Sequence, residues 1–211
     1  MARFQQSVFV NCPLDTAYAP LLRALLFTVV YLGLRPRIAL ESSDSGEPRI
    51  QKIIRLIQES RFSIHDLSRC QARKKGEMFR LNMPLELGLD IGCRVFARGK
   101  SATKRCLILE TRRYRFQKAI SDLSNSDIAA HHDSPDVLVR VVRDWLVQEA
   151  GAMPKSASAI WGRYLDFTAD DFERLQAAGY TKGDIIGLPI IEVLAAMKRW
   201  TGRQSNAQIA H

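Results

Sequence analysis

The chain has 211 residues, of which 46% are hydrophobic and 25% charged, and its formal net charge is +9. That composition excludes a disordered polypeptide and leaves room for one substantial core plus an appendage. The charge allows nucleotide, nucleic-acid or other anionic partners without choosing among them, because a solvated basic surface needs no partner.

The first elements alternate. "SVFVNC" (7–12) is a β-rich run stopped by Pro13. Residues 14–34 have helix length and a Gly33 exit. "RIALE" (37–41) reads as a second strand and 42–48 as a loop. Residues 49–60 place Ile50, Ile53, Ile54 and Ile57 on one helical face. "FSIHDLS" (62–68) is a third strand with its exit, followed by a basic loop over 69–80. A helix is predicted from Pro84 to Phe96, with Asn82 as a candidate cap. Gly88 and Gly92 share a face that would let this helix approach its neighbours closely. "RCLILE" (105–110) is the fourth strand, 112–124 is predicted to be largely helix, and "DIAAH" (127–131) is a weak fifth strand. Residues 134–150 form a helix capped by Ser134 with Pro135 in its first position.

Strands alternating with helices imply a doubly wound, five-stranded parallel sheet, with the flavodoxin-like order 2-1-3-4-5. Residues 1–150 would form this α/β domain. After a linker, only helical patterns follow, so 151–211 reads as a small α-helical C-terminal extension. The apolar residues there, Trp161, Leu188 and Trp200, could form an interface or cover the main domain.

The four cysteines, Cys12, Cys70, Cys93 and Cys106, lack zinc-ligand spacing. Reduced thiols, no metal and a cytoplasmic location are expected. The most apolar run, 24–34, is too short to span a bilayer, and the first ten residues lack a signal-peptide core, so no membrane association is expected.

Ligands of open α/β sheets bind outside the carboxyl ends of the strands. Asn11, Cys12 and Asp15 follow the first strand, and Glu41, Asp44 and Glu47 the second. His65, Asp66, Ser68 and Arg69 follow the third, and Glu110, Arg112 and Arg113 the fourth. Glu86 opens the helix beyond the basic loop, with Asp90 four residues on and roughly on the same face. Each residue also has a plain structural reading. Glu86 could answer the helix dipole, Asp66 and Asn11 could be turn residues, Asp15 a helix cap, and His65 a structural histidine. Asp66 and Glu86 are nevertheless expected to reach one crevice. Two carboxylates there suit glycosidic chemistry, in which one stabilises or attacks an anomeric carbon and the other orients a hydroxyl or moves a proton. Glycine-rich nucleotide loops and a GxSxG elbow are absent from the sequence.

The segments "SRFSIHDLSR", "NMPLELGLDIGC" and "KRCLILE" resemble the core of the nucleoside 2-deoxyribosyltransferase family. The Toll/interleukin-1 receptor (TIR) NAD-cleaving domains are similar in plan. The resemblance implies that Glu86, in "ELG", is the catalytic glutamate and Asp66 the aspartate ending the third strand. It also implies a pocket helped by the first strand–helix loop, with Asn11 and Asp15. His65, Arg69, Arg80 and Asn82 are added as candidate substrate contacts. Arg69, Arg73 or Arg80 would hold a phosphate, which fits a phosphorylated substrate better than a free nucleoside.

The expected function is therefore cleavage or transfer at the N-glycosidic bond of a nucleoside, nucleotide or NAD. One version, by analogy with TIR domains, is NAD cleavage in bacterial antiphage defence. No cofactor is expected, with NAD entering only as a substrate. The alternative is a non-catalytic nucleotide-sensing or protein-interaction module. Nucleic acid is a less favoured partner, suggested by "RCQARKKGEMFR" and "RRYRFQK". A homo-oligomer is expected, because related folds often complete their pockets with a neighbouring subunit.

Overall fold

The structure, a computed structural model, describes residues 2–70, 80–113, 115, 120–123 and 126–209. Helix α1 (Ala2–Gln6) leads into strand β1 (Ser7–Asn11), and α2 (Ala19–Tyr31) into β2 (Arg35–Ile38). Next come α3 (Arg49–Gln58), β3 (Phe62–Asp66), α4 (Asn82–Phe96), β4 (Arg105–Glu110), β5 (Ile128–Ala130) and α5 (Pro135–Ala150). Three further helices close the chain: α6 (Ala157–Ala177), α7 (Lys182–Ile186) and α8 (Ile190–Ile209).

The five strands form one sheet in the order β2-β1-β3-β4-β5, parallel throughout, as the alternating pattern predicts. Side chains alternate between its faces. Val8, Val10, Ile64, Leu107 and Leu109 join the core formed with α2 and α5. Phe9 joins Ile53, Leu56 and Ile57 of α3 on the other face, and Ile108 joins Met83 and Leu87 of α4. Both faces are thus covered, and every residue of β1 and β3 is buried, polar ones included.

The C-terminal helices add a further layer over α2. The Phe27 ring lies 5.4 Å from Phe167, 5.5 Å from Tyr164 and 5.9 Å from Trp200. Trp200 is buried, Trp161 and Leu188 pack against the same core, and the Trp200 indole donates to Asp170 at 2.7 Å. Arg23 of α2 donates to the carbonyls of Ile185 and Ile186, both at 3.1 Å. Among the described residues, no helix is long and apolar enough to cross a membrane.

Several local expectations need correction. Strand β2 ends at Ile38, and Ala39–Glu41 is a 3-10 turn in which Glu41 folds back on Arg37. Asp15 does not cap α2: Tyr18 stands at the cap, and Asp15 accepts the Tyr18 amide within the preceding turn. Ser134 does cap α5, but its hydroxyl donates to Asp136 rather than accepting a backbone amide. Gly88 has no neighbour where a Cβ would sit and Gly92 meets only its own helix's Phe96, so their face borders an open groove instead of a close helix contact.

In the predicted helix 112–124, the described residues contain a 3-10 turn at Ser121–Leu123 and no α-helix. Residues 114, 116–119, 124 and 125 lie outside the described set. Glu110 competes with helical bonding at the start of this stretch: it accepts the Thr111 amide at 2.7 Å and draws back the Arg115 guanidinium at 2.7 Å.

Candidate functional site

A cavity of about 450 Å³ opens at the carboxyl ends of β1 and β2. Asn11 and Cys12 supply one wall, Arg49 at the start of α3 another, and the first turns of α4 a third, with Asn82, Met83 and Glu86. The site thus lies beside the point where the strand order reverses, as expected for open α/β sheets.

Helix α4 begins earlier than its sequence pattern suggests, at Asn82, with Leu81 at the cap and no side-chain cap bond. Pro84 fits within this first turn because the amides there have no helical partner. Asn82 is therefore inside the helix rather than its cap, and Glu86 belongs to the second turn. This weakens the dipole explanation for Glu86, since that effect fades beyond the first turn. The Glu86 side chain is only 9% exposed, and Arg49 Nη2 lies 3.9 Å from its carboxylate. Burial pushes its pKa up, while Arg49 and His65 pull it down.

Behind the cavity wall is a buried polar chain. Asn11 Nδ2 lies 2.9 Å from His65 Nδ1 and 2.9 Å from the Met83 carbonyl. His65 Nε2 lies 3.1 Å from Asp90 Oδ2, which also accepts from the Ser63 hydroxyl. Lys104 Nζ lies 2.9 Å from Asp90 Oδ1 and donates to the carbonyls of Ile57 and Ser60. Helix α4 is thereby tied to the sheet at Met83 and at Asp90, with Glu86 between the two ties. Burial disfavours the His65 imidazolium, but Cys106 and Asp90 beside it raise the pKa to about 9. Burial likewise opposes ionisation of Asp90, yet His65, Lys104 and Ser63 bring its pKa down to about 2. The Asn11 amide can serve both acceptors only while Nδ1 is unprotonated. Protonation at Nδ1 opposes this pair of contacts, while Asp90 beside Nε2 favours it.

His65, Asp90 and Cys106 bring three metal-ligand atoms within 4.8 Å of one another. The Lys104 ammonium already supplies the positive charge this carboxylate needs, so the cluster is stable as an ion pair with its own cation. The Cys12 thiol at the cavity wall has a raised pKa, chiefly through burial and then through Asp66, Glu86 and Asp15, which disfavours a thiolate nucleophile.

The sequence-derived residues separate. Asn11, Arg80, Asn82 and Glu86 line the cavity, and His65 sits one layer behind it. Asp15 is held at the rim, where its carboxylate meets Arg80 Nη1 at 2.7 Å. Arg69 turns away to Asp133 at 3.3 Å, and Arg73 lies outside the described residues. Asp66 does not join Glu86: it is fully buried and does not line the cavity. Tyr18 donates to Asp66, the Ser68 amide donates to it at 2.8 Å, and His131 Nε2 lies 3.1 Å away. Its pKa is lowered, since the bonds from His131, Ser68 and Tyr18 outweigh the burial that would raise it.

Other carboxylates near the strand ends are also engaged locally, with Glu41 on Arg37, Glu47 on Arg55 and Glu110 on Arg115. Sequence reasoning overlooked Arg49, Lys104 and His131. Arg49 follows the β2 loop and opens α3, so the strand-end rule could have found it. Nothing in the sequence marks Lys104 or His131 as partners of buried carboxylates.

Comparison with protein-family models, with curated proteins and with solved structures gave no match for this chain.

Proposed function

We propose that the chain cleaves or transfers at the N-glycosidic bond of a nucleoside, nucleotide or NAD. Glu86 serves as nucleophile or as the carboxylate that stabilises oxocarbenium charge. The observation that supports this is Glu86 itself: among the described residues it is the only carboxylate lining the cavity, and it is mostly buried there. Its nearest cation, Arg49, favours the anion without making a tight pair. Arg49 and Arg80 border the same space, which suits a phosphorylated substrate. The cavity volume falls in the range of small-molecule sites. Asp66 has no role at the substrate in this reading and acts as a structural anchor. A place in bacterial antiphage defence rests on the resemblance to TIR domains.

The test is base release from NAD and from a panel of nucleosides and nucleotides, followed by chromatography. Release by the wild type and none by Glu86→Gln is expected. Equal release by both would remove Glu86 from the chemistry.

The withdrawal of Asp66 favours a second reading, a non-catalytic nucleotide-sensing module, because the cavity holds a single carboxylate among its described residues. Saturable nucleotide binding without turnover, retained in Glu86→Gln, would select it.

A further inference from the structure

At the opposite end of the sheet from Glu86 lies a second cavity, of about 460 Å³. Its walls come from α1, the start of β2, the end of α3 and the 3-10 turn before β4. Arg3, Arg35, Arg37 and Lys100 line it, against a single lining carboxylate, Glu59. Strand alternation puts Arg35 and Arg37 on the same side of β2. Arg37 is buried and fixed: its Nε and Nη2 donate to Glu41 at 2.9 and 2.6 Å, and its Nη1 donates to Glu59 at 2.9 Å. Arg3, Arg35 and Lys100 have no carboxylate within the 4.0 Å limit of an ion pair among the described residues. Lys100 instead stands 5.0 Å above the buried Phe4 ring.

Pairing Arg37 with Glu41 and Glu59 leaves this hollow with an excess of positive charge, and the excess comes from separate chain segments facing one space. A hollow of about 460 Å³ is larger than one phosphate group fills. Phe4 is covered, so no aromatic face is free to stack a base. Recognition here would be by charge presented at several linked points, for which guanidinium groups are well suited.

We infer that this hollow binds a small anion carrying linked phosphate groups, either a free phosphate chain or one borne by a nucleoside. The site is separate from the Glu86 cavity and does not depend on the function proposed for it.

The experiment is calorimetric titration of the full chain with inorganic tripolyphosphate and, separately, with a nucleoside triphosphate. Saturable binding that depends on Arg35 and Lys100 is expected for both ligands, and the affinities compared are those of this component; a nucleoside triphosphate that also enters the Glu86 cavity adds a component indifferent to these two residues. Arg35→Gln and Lys100→Gln should each weaken it about tenfold or more, the range of a lost charge-assisted contact. Arg3→Gln, at an exposed position, gives the same test with little risk to folding. Glu59→Gln should tighten binding, because it removes the opposing carboxylate and releases Nη1 of Arg37. Arg174→Gln, on α6 and outside both cavities, should leave it unchanged. Equal affinity for the two ligands identifies the phosphate chain as the recognised group, and a preference for the nucleoside form identifies the carried chain. The inference is overturned by no saturable binding, by binding indifferent to Arg35 and Lys100, by an equal loss in Arg174→Gln, or by an oligonucleotide that outcompetes tripolyphosphate.

Discussion

Adjacent residues of β3 enter two buried histidine–aspartate pairs, one on each face of the sheet. On the α4 face the strand contributes the histidine, and His65 meets Asp90 at 3.1 Å. On the α2 face the strand contributes the aspartate, and Asp66 meets His131 at 3.1 Å. The two pairs differ in what else they hold. The first reaches Asn11 in the cavity wall and ties both ends of the helical segment bearing Glu86. The second joins Tyr18, before α2, to the turn after β5, and does not reach the cavity. That turn is held tightly: His132 and Asp133 have φ of 55° and 56°, a left-handed conformation costly for residues other than glycine. Similar pair chemistry thus braces the wall of the Glu86 cavity on one face and closes the fold on the other.

Breaking the first pair should have the largest effect. Asp90→Ala leaves Lys104 and His65 buried without their carboxylate, and should cost about 3–5 kcal/mol in denaturant unfolding. It should also weaken ligand binding in the Glu86 cavity. The pH dependence of the same pair has two limbs. Asp90 has its pKa lowered from 3.8 to about 2, so its stabilisation is present above 3.8 and is lost as pH falls through 2. His65 has its pKa raised from 6.5 to about 9, so its contribution is full below 6.5 and is lost as pH rises through 9. Thermal melts across pH should show an alkaline limb that disappears in His65→Gln.

Asp66→Asn sharpens the contrast. It should cost about 1–3 kcal/mol by weakening bonds to a buried charge, yet leave affinity at the Glu86 cavity unaltered. An equal loss of affinity would show that the two faces are coupled. Asn11→Ala should cost less, about 1 kcal/mol, while loosening the first turn of α4; faster amide exchange there would report it. Glu86→Gln should have the smallest effect on stability, within about 1 kcal/mol. Its sign should favour the variant at neutral pH, because burial already disfavours the Glu86 carboxylate.

Much of this architecture was legible in the sequence. Alternating strand and helix patterns predict the sheet order, and the strand-end rule points to Asn11 and to the helix that carries Glu86. Asp66 failed for a definite reason. In a parallel sheet covered on both faces, hydropathy does not indicate which of two consecutive residues faces which helix. Period-two alternation guarantees only that His65 and Asp66 part company, and tertiary packing decides the direction. The sequence pattern starts α4 at Pro84, two residues late, because proline suits the first helical position and here occupies a later place in that turn. Residues 112–124 are predicted to be largely helix, yet Glu110 and Arg115 bond to each other across the beginning of that stretch.

The rim pair of Arg80 and Asp15 differs from everything behind it. Its members are 48% and 30% exposed, so their 2.7 Å contact lies in water. An ion pair of that kind is worth at most about 1 kcal/mol and is screened by dissolved salt. The Asn11–His65–Asp90 ties, sealed in the interior, feel that screening far less. Ionic strength should therefore act on the entrance before the interior: salt loosens Arg80 from Asp15 and weakens its pull on an incoming anion alike, while the Asn11–His65–Asp90 ties behind it hold.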